Sequence, residues 1–413
     1  MDDGTRLEGE GGESSIERRG NVLSMARVEL VEDAEYGDLI TGPAPAVRGT
    51  RFPPLTEIKV EVSCYDGAGR HWSSLNEYLV SAEGIFDTAH TAAVGEGYYG
   101  IANEGPLYSM VCREEGAHTF AIKGLRELEY QIRCTEAGRE ISNHTVRRYF
   151  ERPDKPPLRA RVFLHHDGVI SDIADTVALL ESYGIEVNPH LNLHALPESG
   201  TLPLDLGPGT DDVPNFLVGS GLASATSLEL AMAYKGFQAV ILFSGGGLRF
   251  DPTAGSEPSE GTDGRDFIRL DHSSLQPKAE GILITRKLYA DAVADKANRD
   301  RGRIEVEKIP CPIYMFSGAD DQIWPASAFS ELVAQRRKMQ NCPFPTYHRT
   351  FEGVGHDLGP SLGLPTLPTT ERTIEHPDTG FRLLLGGKPG RQARARRECW
   401  DALLNIIDGN PPE

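Results

Sequence analysis

The chain divides into two stretches that differ in how apolar and polar residues alternate. Between about residues 27 and 148, short segments tend to carry apolar side chains at every second position and are separated by Gly, Pro and Asp. A period of two predicts strands with one buried face, and regularly spaced strands predict a β-sandwich of immunoglobulin-like size. The segments predicted as strands are IKVEVSCY, WSSLNEYLV, HTFAIKGL and EYQIRC.

The pattern changes after residues 151–157, a charged, proline-rich stretch that predicts a linker. β-Branched and aromatic runs then alternate with segments that have helical periodicity. The predicted strands include ARVFLHH, NFLVG, FQAVILFSG and CPIYMFSG, and the predicted helices include DIADTVALLESYG, SATSLELAMAYKG and AFSELVAQRRKM. Strands that alternate with helices predict an α/β fold, in which a mostly parallel sheet has helices on both faces.

Together these patterns predict four segments. Residues 1–22 are acidic and glycine-rich and lack an apolar core, which predicts a disordered tail. Residues 23–150 are predicted to form the immunoglobulin-like β-sandwich, residues 151–157 the linker, and residues 158–413 the α/β domain that carries the chemistry.

Composition and charge narrow the classes of partner. A net charge of −19 argues against nucleic-acid binding, which requires a clustered basic face. No apolar run reaches the length of about 18 residues that a membrane span needs, and the N-terminus does not resemble a signal peptide. The six cysteines are scattered without a CxxC pair, which predicts reduced thiols in a cytoplasmic protein. The spacing of potential metal ligands does not predict a metal site. No cofactor is predicted, and the sequence makes no prediction of the oligomeric state.

Residues 216–236, FLVGSGLASATSLELAMAYKG, predict a strand, a tight turn and a helix. This is the order of a nucleophile elbow, in which a Ser or Cys lies on a strained turn at the start of a helix. The backbone doubles back there, so small residues are needed two positions before and two positions after the nucleophile. Gly221 and Ala225 satisfy this spacing around Ala223, which predicts that an alanine occupies the nucleophile position.

Two serines flank that position and are alternatives to it. As a nucleophile, Ser220 would have Val218 and Leu222 at the two tight positions, and both are large. Ser224 would have Leu222 and Thr226 there, which fits poorly as well. Ser220 stays open as an alternative nucleophile, and an ordinary turn without any site is the remaining interpretation of this segment.

Two further motifs follow the elbow in the order expected for an acid and a base. Asp321 lies in SGADDQIWP after the predicted strand CPIYMF, where its carboxylate would orient a histidine. His356 lies in the glycine-rich loop FEGVGHD and is the predicted general base. The alternatives are that the Asp pair caps the next helix and that the histidine is a solvated loop residue.

An oxyanion hole requires two backbone N–H groups. The predicted donors are the N–H of Ser224, which follows the nucleophile position, and an N–H from the loop that contains His166. An ordinary polar loop explains the neighbouring histidines at 165 and 166 equally well.

Three further segments, together with the acid and base loops, carry a resemblance that extends over most of the chain. They are HWSSLNEYLVSAEGIFD at 71–87, GYYGIANEGPLYSM at 97–110, and GGKP at 386–389 followed by RRECW at 396–400. In this order they resemble the acyl-CoA thioesterase and bile acid-CoA:amino acid N-acyltransferase family. The resemblance implies an immunoglobulin-like β-sandwich joined to an α/β-hydrolase domain.

The resemblance also implies the chemistry. Members of this family open acyl-CoA thioesters with a Ser or Cys nucleophile, an Asp and a His, and water or an amine accepts the acyl group. Asp321 and His356 match the acid and the base, and Ala223 falls where Ser or Cys is expected. A gap-free count back from Lys235 and Gly236 places Gly221 there instead.

The function predicted is that of an acyl-CoA or carrier-bound acyl-thioester hydrolase or acyltransferase. Ala223 is then either an introduced Ser or Cys to Ala change or a loss covered by Ser220. One alternative is a non-hydrolytic enzyme in which the pair formed by His356 and Asp321 is a general base. A protein that binds an acyl or polyketide-like ligand is another, and a scaffold subunit that binds a partner is a third.

Overall fold

The structure is a computed structural model. It describes residues 26–32, 39–95, 97–116, 118–122, 124–150, 158–165, 173–188, 213–250, 267–278, 281–360, 364–375 and 380–412. The predicted tail at 1–22, the linker at 151–157 and His166 lie outside the described residues.

The N-terminal region consists of two antiparallel sheets. Its elements are β1 (Arg27–Val31), β2 (Ala46–Thr50), β3 (Glu57–Tyr65), β4 (His71–Leu79), β5 (Phe86–Asp87), α1 (Gly105–Tyr108), β6 (Val111–Cys112), β7 (Glu127–Glu136) and β8 (Arg139–Tyr149). Three strands pair in the order β1-β2-β5 and five in the order β6-β4-β3-β7-β8. Strands β3 and β7 bury alternate side chains, as their period of two predicts. The immunoglobulin-like assignment of this region stays a prediction.

One predicted strand, HTFAIKGL at 118–125, is wrong. Its described residues form a loop, because their backbone groups bond to a turn instead of a neighbouring strand. The Ala121 N–H donates to Asp66 Oδ2 at 3.3 Å, and the Ala121 carbonyl accepts from the Gly67 N–H at 2.7 Å. The Phe120 ring packs against Trp72 with ring centroids 5.3 Å apart. An apolar residue of this segment is therefore packed against the sheet although the segment is a loop.

The C-terminal region alternates strands and helices. Its elements are β9 (Ala160–His165), α2 (Ile173–Ser182), β10 (Ile185–Asn188), β11 (Asn215–Ser220), α3 (Ser224–Ala233), β12 (Phe237–Phe243), β13 (Ile282–Leu283), α4 (Arg286–Ala294), α5 (Lys296–Arg301), β14 (Ile313–Gly318), α6 (Ala326–Met339), β15 (Thr346–Phe351), β16 (Thr373–Glu375), β17 (Arg382–Leu384) and α7 (Pro389–Ile407). Six of these strands form one parallel sheet in the order β10-β9-β11-β12-β14-β15. A small sheet has the order β13-β17-β16.

Both faces of the parallel sheet are covered, so its central strands are buried along their whole length. One face packs against α2 and α7 within an apolar core that continues into the N-terminal sheets. The other face packs against α3 and α6. Successive residues of a strand therefore point into different cores, as Leu217 and Val218 do. The predicted α/β-hydrolase architecture, with helices on both faces of the sheet, is confirmed.

The topology brings several loops to one edge of this sheet. Parallel strands end at the same edge, and ligands of open α/β sheets bind beyond the carboxyl ends of the strands. The loops that follow β11, β12, β14 and β15 meet there. These loops carry the elbow, Asp321 and His356.

Candidate active site

The acid loop follows β14 and is fixed by its backbone. Asp321 is fully buried, and its Oδ1 accepts from the N–H groups of Ile323 at 2.9 Å and Trp324 at 3.2 Å. Helix α6 begins only at Ala326, with Pro325 at its N-cap position. Asp321 therefore organises its own loop and does not cap that helix.

The base lies against this acid. His356 Nδ1 is 2.8 Å from Asp321 Oδ2, and both side chains are buried. An ionised carboxylate only accepts hydrogen bonds, so the contact holds the proton of a neutral imidazole on Nδ1. The Trp324 ring stands edge-on to the imidazole, and its Nε1 donates to the Ser244 carbonyl at 2.8 Å. Ser244 Oγ donates in turn to the His356 carbonyl at 2.6 Å.

The backbone on either side of the base is held by one buried side chain. Gln392, from α7, accepts from the Gly355 N–H at 2.8 Å and donates to the Asp357 carbonyl at 2.8 Å. The His356 N–H donates to the Leu385 carbonyl at 2.9 Å. The peptide groups before and after the base are thus tied to the start of a long helix.

Asp357, next to the base, forms a buried ion triad. Its carboxylate accepts from Arg372 at 2.5 and 2.9 Å and also from Arg396. Burial acts to raise the pKa of Asp357, but the two guanidinium groups outweigh it and hold that pKa at about 2. The sequence shows an Asp directly after the histidine. No sequence pattern predicts its two arginine partners, which lie 15 and 39 positions away.

The GGKP segment connects the two loops. Gly386 forms a bridge with Asp321, and Gly387 forms one with Val354. Both glycines have positive φ, 80° and 82°. A Cβ on Gly386 would lie 2.0 Å from the Asp320 carbonyl oxygen, so any side chain there would displace the acid loop.

The elbow has the expected order of elements, and its left-handed residue lies two positions before Ala223. Strand β11 ends at Ser220 in extended conformation, and Gly221 follows with φ of 56°. Ala223 is helical, with φ of −68° and ψ of −9°, and α3 begins at Ser224. The left-handed residue of this turn is therefore Gly221 and not Ala223, in agreement with the gap-free count.

Small residues flank this apex at the required spacing. Gly219 lies two positions before Gly221, and Ala223 lies two positions after it. A Cβ on Gly219 would lie 2.7 Å from Ser227 Oγ and 2.9 Å from the Ser224 Cα. The close approach of strand and helix thus excludes a side chain at 219. The spacing of small residues alone favoured Ala223, and only the gap-free count from Lys235 and Gly236 indicated Gly221.

The predicted serines do not occupy the apex. Ser220 is the last residue of β11 and is 1% exposed. Ser224 is completely buried, and its Oγ has no hydrogen-bond partner within the described residues. The Ser224 N–H donates to the carbonyls of Gly221 and Leu222. That N–H is engaged in the turn, so the prediction that it serves an oxyanion hole does not fit this geometry.

The second predicted oxyanion element is only partly described. His165, at the end of β9, is buried, and its Nδ1 lies 2.8 Å from Ser227 Oγ on α3. This contact connects β9 to the helix of the elbow. His166, the residue named as the donor, lies outside the described residues.

Two family models match the sequence in the order of these regions. The acyl-CoA thioester hydrolase/BAAT N-terminal region matches residues 45–155, and the BAAT/acyl-CoA thioester hydrolase C-terminal region matches residues 214–408. The chain belongs to the acyl-CoA thioester hydrolase/BAAT family. The resemblance seen in the sequence is thereby confirmed. No curated protein matches the sequence.

Solved structures with similar folds are distant in sequence from this family member. A dienelactone hydrolase-like promiscuous phosphotriesterase from metagenomic libraries is 14% identical, with a TM-score of 0.32 over 68% of this chain and 92% of that one. A puromycin-hydrolyzing peptidase of Mycobacterium tuberculosis is 12% identical, with a TM-score of 0.33 over 84% and 53%. A lipase in its open form is 12% identical, with a TM-score of 0.31 over 69% and 95%.

Three buried cysteines of this thioester hydrolase family member have raised thiol pKa values. All six cysteines are unpaired, and four are buried. Burial raises the pKa of Cys64 to about 12 and the pKa values of Cys134 and Cys311 to about 11. The thiolate is the nucleophilic form of a cysteine, so burial disfavours that form in these three residues.

Within the described ranges, the His, Cys, Asp and Glu side chains form no group of three or more that could hold a metal ion. The described helices include none that is both long and apolar enough to cross a membrane. The cytoplasmic location expected from the cysteines stays a prediction.

Proposed function

We propose that this family member transfers the acyl group of a thioester directly to water or an amine, with His356 as general base. Membership of the family supplies the substrate class, an acyl-CoA thioester. The observation that carries the proposal is the buried contact of 2.8 Å between His356 Nδ1 and Asp321 Oδ2. A neutral imidazole held in this way accepts a proton at Nε2.

The elbow supports a direct transfer. Gly221, at its left-handed position, carries no attacking atom, and Ala223 carries none either. A thioester is an activated carbonyl, so an acceptor that loses its proton to His356 attacks the acyl carbon without a covalent acyl-enzyme. The bond between the acceptor and the carbon forms, the C–S bond breaks, and His356 returns the proton to the leaving thiolate.

The charge that develops on the acyl oxygen needs donors near the elbow. We propose the N–H of Leu222, which follows the left-handed residue, as one of them. The second is proposed to come from the segment after β9 that includes His166. Ser224 is not proposed as a donor, because its N–H bonds to the Gly221 and Leu222 carbonyls.

The adjacent aspartates provide a matched test of the proposal. Asp321→Asn keeps the shape of the acid but stabilises the wrong tautomer of His356, and the same change in the Ser-His-Asp template lowers kcat about 10⁴-fold. Asp320→Asn is the control, since the Asp320 N–H bonds to Val354 without the carboxylate. Release of free CoA from acyl-CoA should fall steeply only in Asp321→Asn. Equal rates in the two variants would contradict a catalytic role for the pair.

The second candidate is a protein that binds an acyl thioester without turning it over. Its support is the absence of an attacking side chain at both 221 and 223. Tight binding of acyl-CoA with no release of CoA in water, and none with glycine or taurine as acceptor, would favour it. A carrier-bound thioester is the alternative source of the same acyl group.

A further inference from the structure

A wide groove of about 1180 Å³ lies between the N-terminal region and the start of α7. We call it the α7 groove. One wall is formed by residues 97–104, and the other by residues 349–354 of β15 and its loop and by residues 388–398. The volume is sufficient for a ligand of cofactor size.

The side chains of the α7 groove are cationic in a strongly acidic chain. Five basic and three acidic residues line it, whereas the whole chain has a net charge of −19. Three of the basic residues form ion pairs, two of them with the same carboxylate. These pairs are Arg397 with Glu104, Arg394 with Glu398, and Arg349 with Glu398.

Lys388 and Arg391 are the two exposed cations that remain. Within the described ranges neither forms an ion pair, and Arg391 only donates to the Glu352 carbonyl at 3.4 Å. Helix α7 begins at Pro389, between them, and its first turn contains no acidic residue. The partial positive charge of a 19-residue helix adds to that of the two side chains. An anion is the ligand that this end of the groove favours.

The opposite wall offers apolar surface. Tyr99 is 82% exposed and Ile101 is 63% exposed. An exposed tyrosine provides a face on which a nucleobase can stack, in addition to a polar tip. The α7 groove thus combines unpaired cations with an aromatic face, which matches a phosphorylated nucleotide.

We infer that the α7 groove binds the nucleotide end of coenzyme A, with phosphates at Lys388 and Arg391 and the adenine at Tyr99. The inference rests on the proposed function, which supplies a CoA thioester as substrate. Val354 lines the groove and lies two residues before His356, so the groove borders the loop that carries the base. A carrier protein presents phosphopantetheine without an adenine or a 3′-phosphate, and it would leave Tyr99 without a role.

Binding measurements on the full chain test the inference with CoA and pantetheine as probes. Lys388→Ala/Arg391→Ala should raise the Kd for CoA about tenfold or more, because charge-assisted contacts to phosphate are lost. Tyr99→Ala should raise the Kd for CoA, and the affinity for pantetheine should change in neither variant. Lys287→Ala/Arg301→Ala, which removes two cations outside the groove, is the matched control.

An unchanged Kd for CoA in the double variant, with its melting temperature intact, overturns the inference. So does a wild type that binds pantetheine as tightly as CoA. If the double variant loses affinity for an acyl carrier protein but keeps its affinity for CoA, the groove is instead a docking site for that protein, which also overturns it.

Turnover distinguishes this inference from the proposed function. With acyl-CoA the double variant should show a raised KM, and with acyl-pantetheine it should match the wild type. If the wild type binds CoA through the α7 groove but releases no thiol from either substrate, the proposed function is wrong and the inference of CoA binding in the groove is still supported. Equal KM values for acyl-CoA in the wild type and the double variant would reject CoA binding in the α7 groove without contradicting the proposed function.

Discussion

The acid–base region and the elbow lie at the same edge of one sheet, but they differ in what they hold in place. Around Asp321 and His356, side chains and backbone from α7 and the GGKP segment fix both loops. At the elbow, small residues preserve the shape of the turn, and the left-handed position is a glycine. The chain therefore holds the imidazole of His356 rigidly and has a glycine at the left-handed position of the turn.

This contrast separates two roles that Ser-His-Asp enzymes combine. Orientation of a histidine requires buried hydrogen bonds, which are costly to lose one at a time. The turn requires only small residues at 219 and 223 and a residue at 221 that accepts positive φ. The elbow can thus keep its geometry without a nucleophile. Substitutions in the acid–base region and at the elbow should therefore have separate effects.

The largest effect is expected from Asp357→Asn in the acid–base region. Arg372 and Arg396 would stay buried without their carboxylate, and loss of one partner of such a cluster costs about 3–5 kcal/mol of unfolding free energy. Urea unfolding monitored by circular dichroism measures this loss of unfolding free energy. Asp408→Asn, at the exposed end of α7, is the control and should leave stability unchanged. A loss below about 1 kcal/mol would mean that the triad does not hold this region.

Acid should weaken the same triad. The pKa of Asp357 is about 2 in the folded protein, below its ordinary value of 3.8. Its contribution is therefore fully present above about pH 4 and is lost as the pH falls toward 2, by about 2–3 kcal/mol in total. The stability difference between wild type and Asp357→Asn should shrink between pH 5 and pH 2.5. A difference that stays constant over this range would contradict the assigned ionisation.

Gln392→Ala should act on the base without touching substrate. The Gly355 N–H and the Asp357 carbonyl lose their partner, which should loosen the loop of His356. We expect kcat for acyl-CoA to fall about tenfold, or about 1.4 kcal/mol, with little change in KM. Gln392→Glu, which keeps an acceptor for Gly355, should recover part of the loss. A change in KM alone would contradict this positioning role and would indicate that Gln392 contributes to substrate binding.

The smallest effect is expected at the elbow. Ser224 Oγ is buried without a partner within the described residues, so Ser224→Ala should leave stability unchanged or raise it by up to about 1 kcal/mol. Ser227→Ala is the matched change, because it removes the contact with His165 and should cost about 1 kcal/mol. Thermal unfolding measures both. A loss of turnover in Ser224→Ala would instead identify Ser224 as the attacking residue.

The sequence predicted the sheet and the acid–base pair because their signals are local. NFLVG and CPIYMF are apolar on both faces, as central parallel strands must be. Asp321 and His356 each follow a strand directly, so the topology alone brings them to one edge.

Other features depend on contacts that no local pattern carries. Gln392 meets the base loop only because α7 folds back from 35 residues away. HTFAIKGL has the composition of a strand but lacks a strand to pair with. Side-chain size predicts the nucleophile position at Ala223, whereas the left-handed residue of the turn, which only the backbone conformation reveals, is Gly221.

In the proposed mechanism, acyl transfer proceeds without a covalent intermediate because residue 221 has no side chain. Intact-protein mass spectrometry of samples quenched during acyl-CoA turnover tests it most directly, with Gly221→Cys and Ala223→Cys beside the wild type. We expect an unmodified wild type, an acylated Gly221→Cys and an unmodified Ala223→Cys. An acyl group on the wild type, mapped to Ser220 or Ser224, would contradict it.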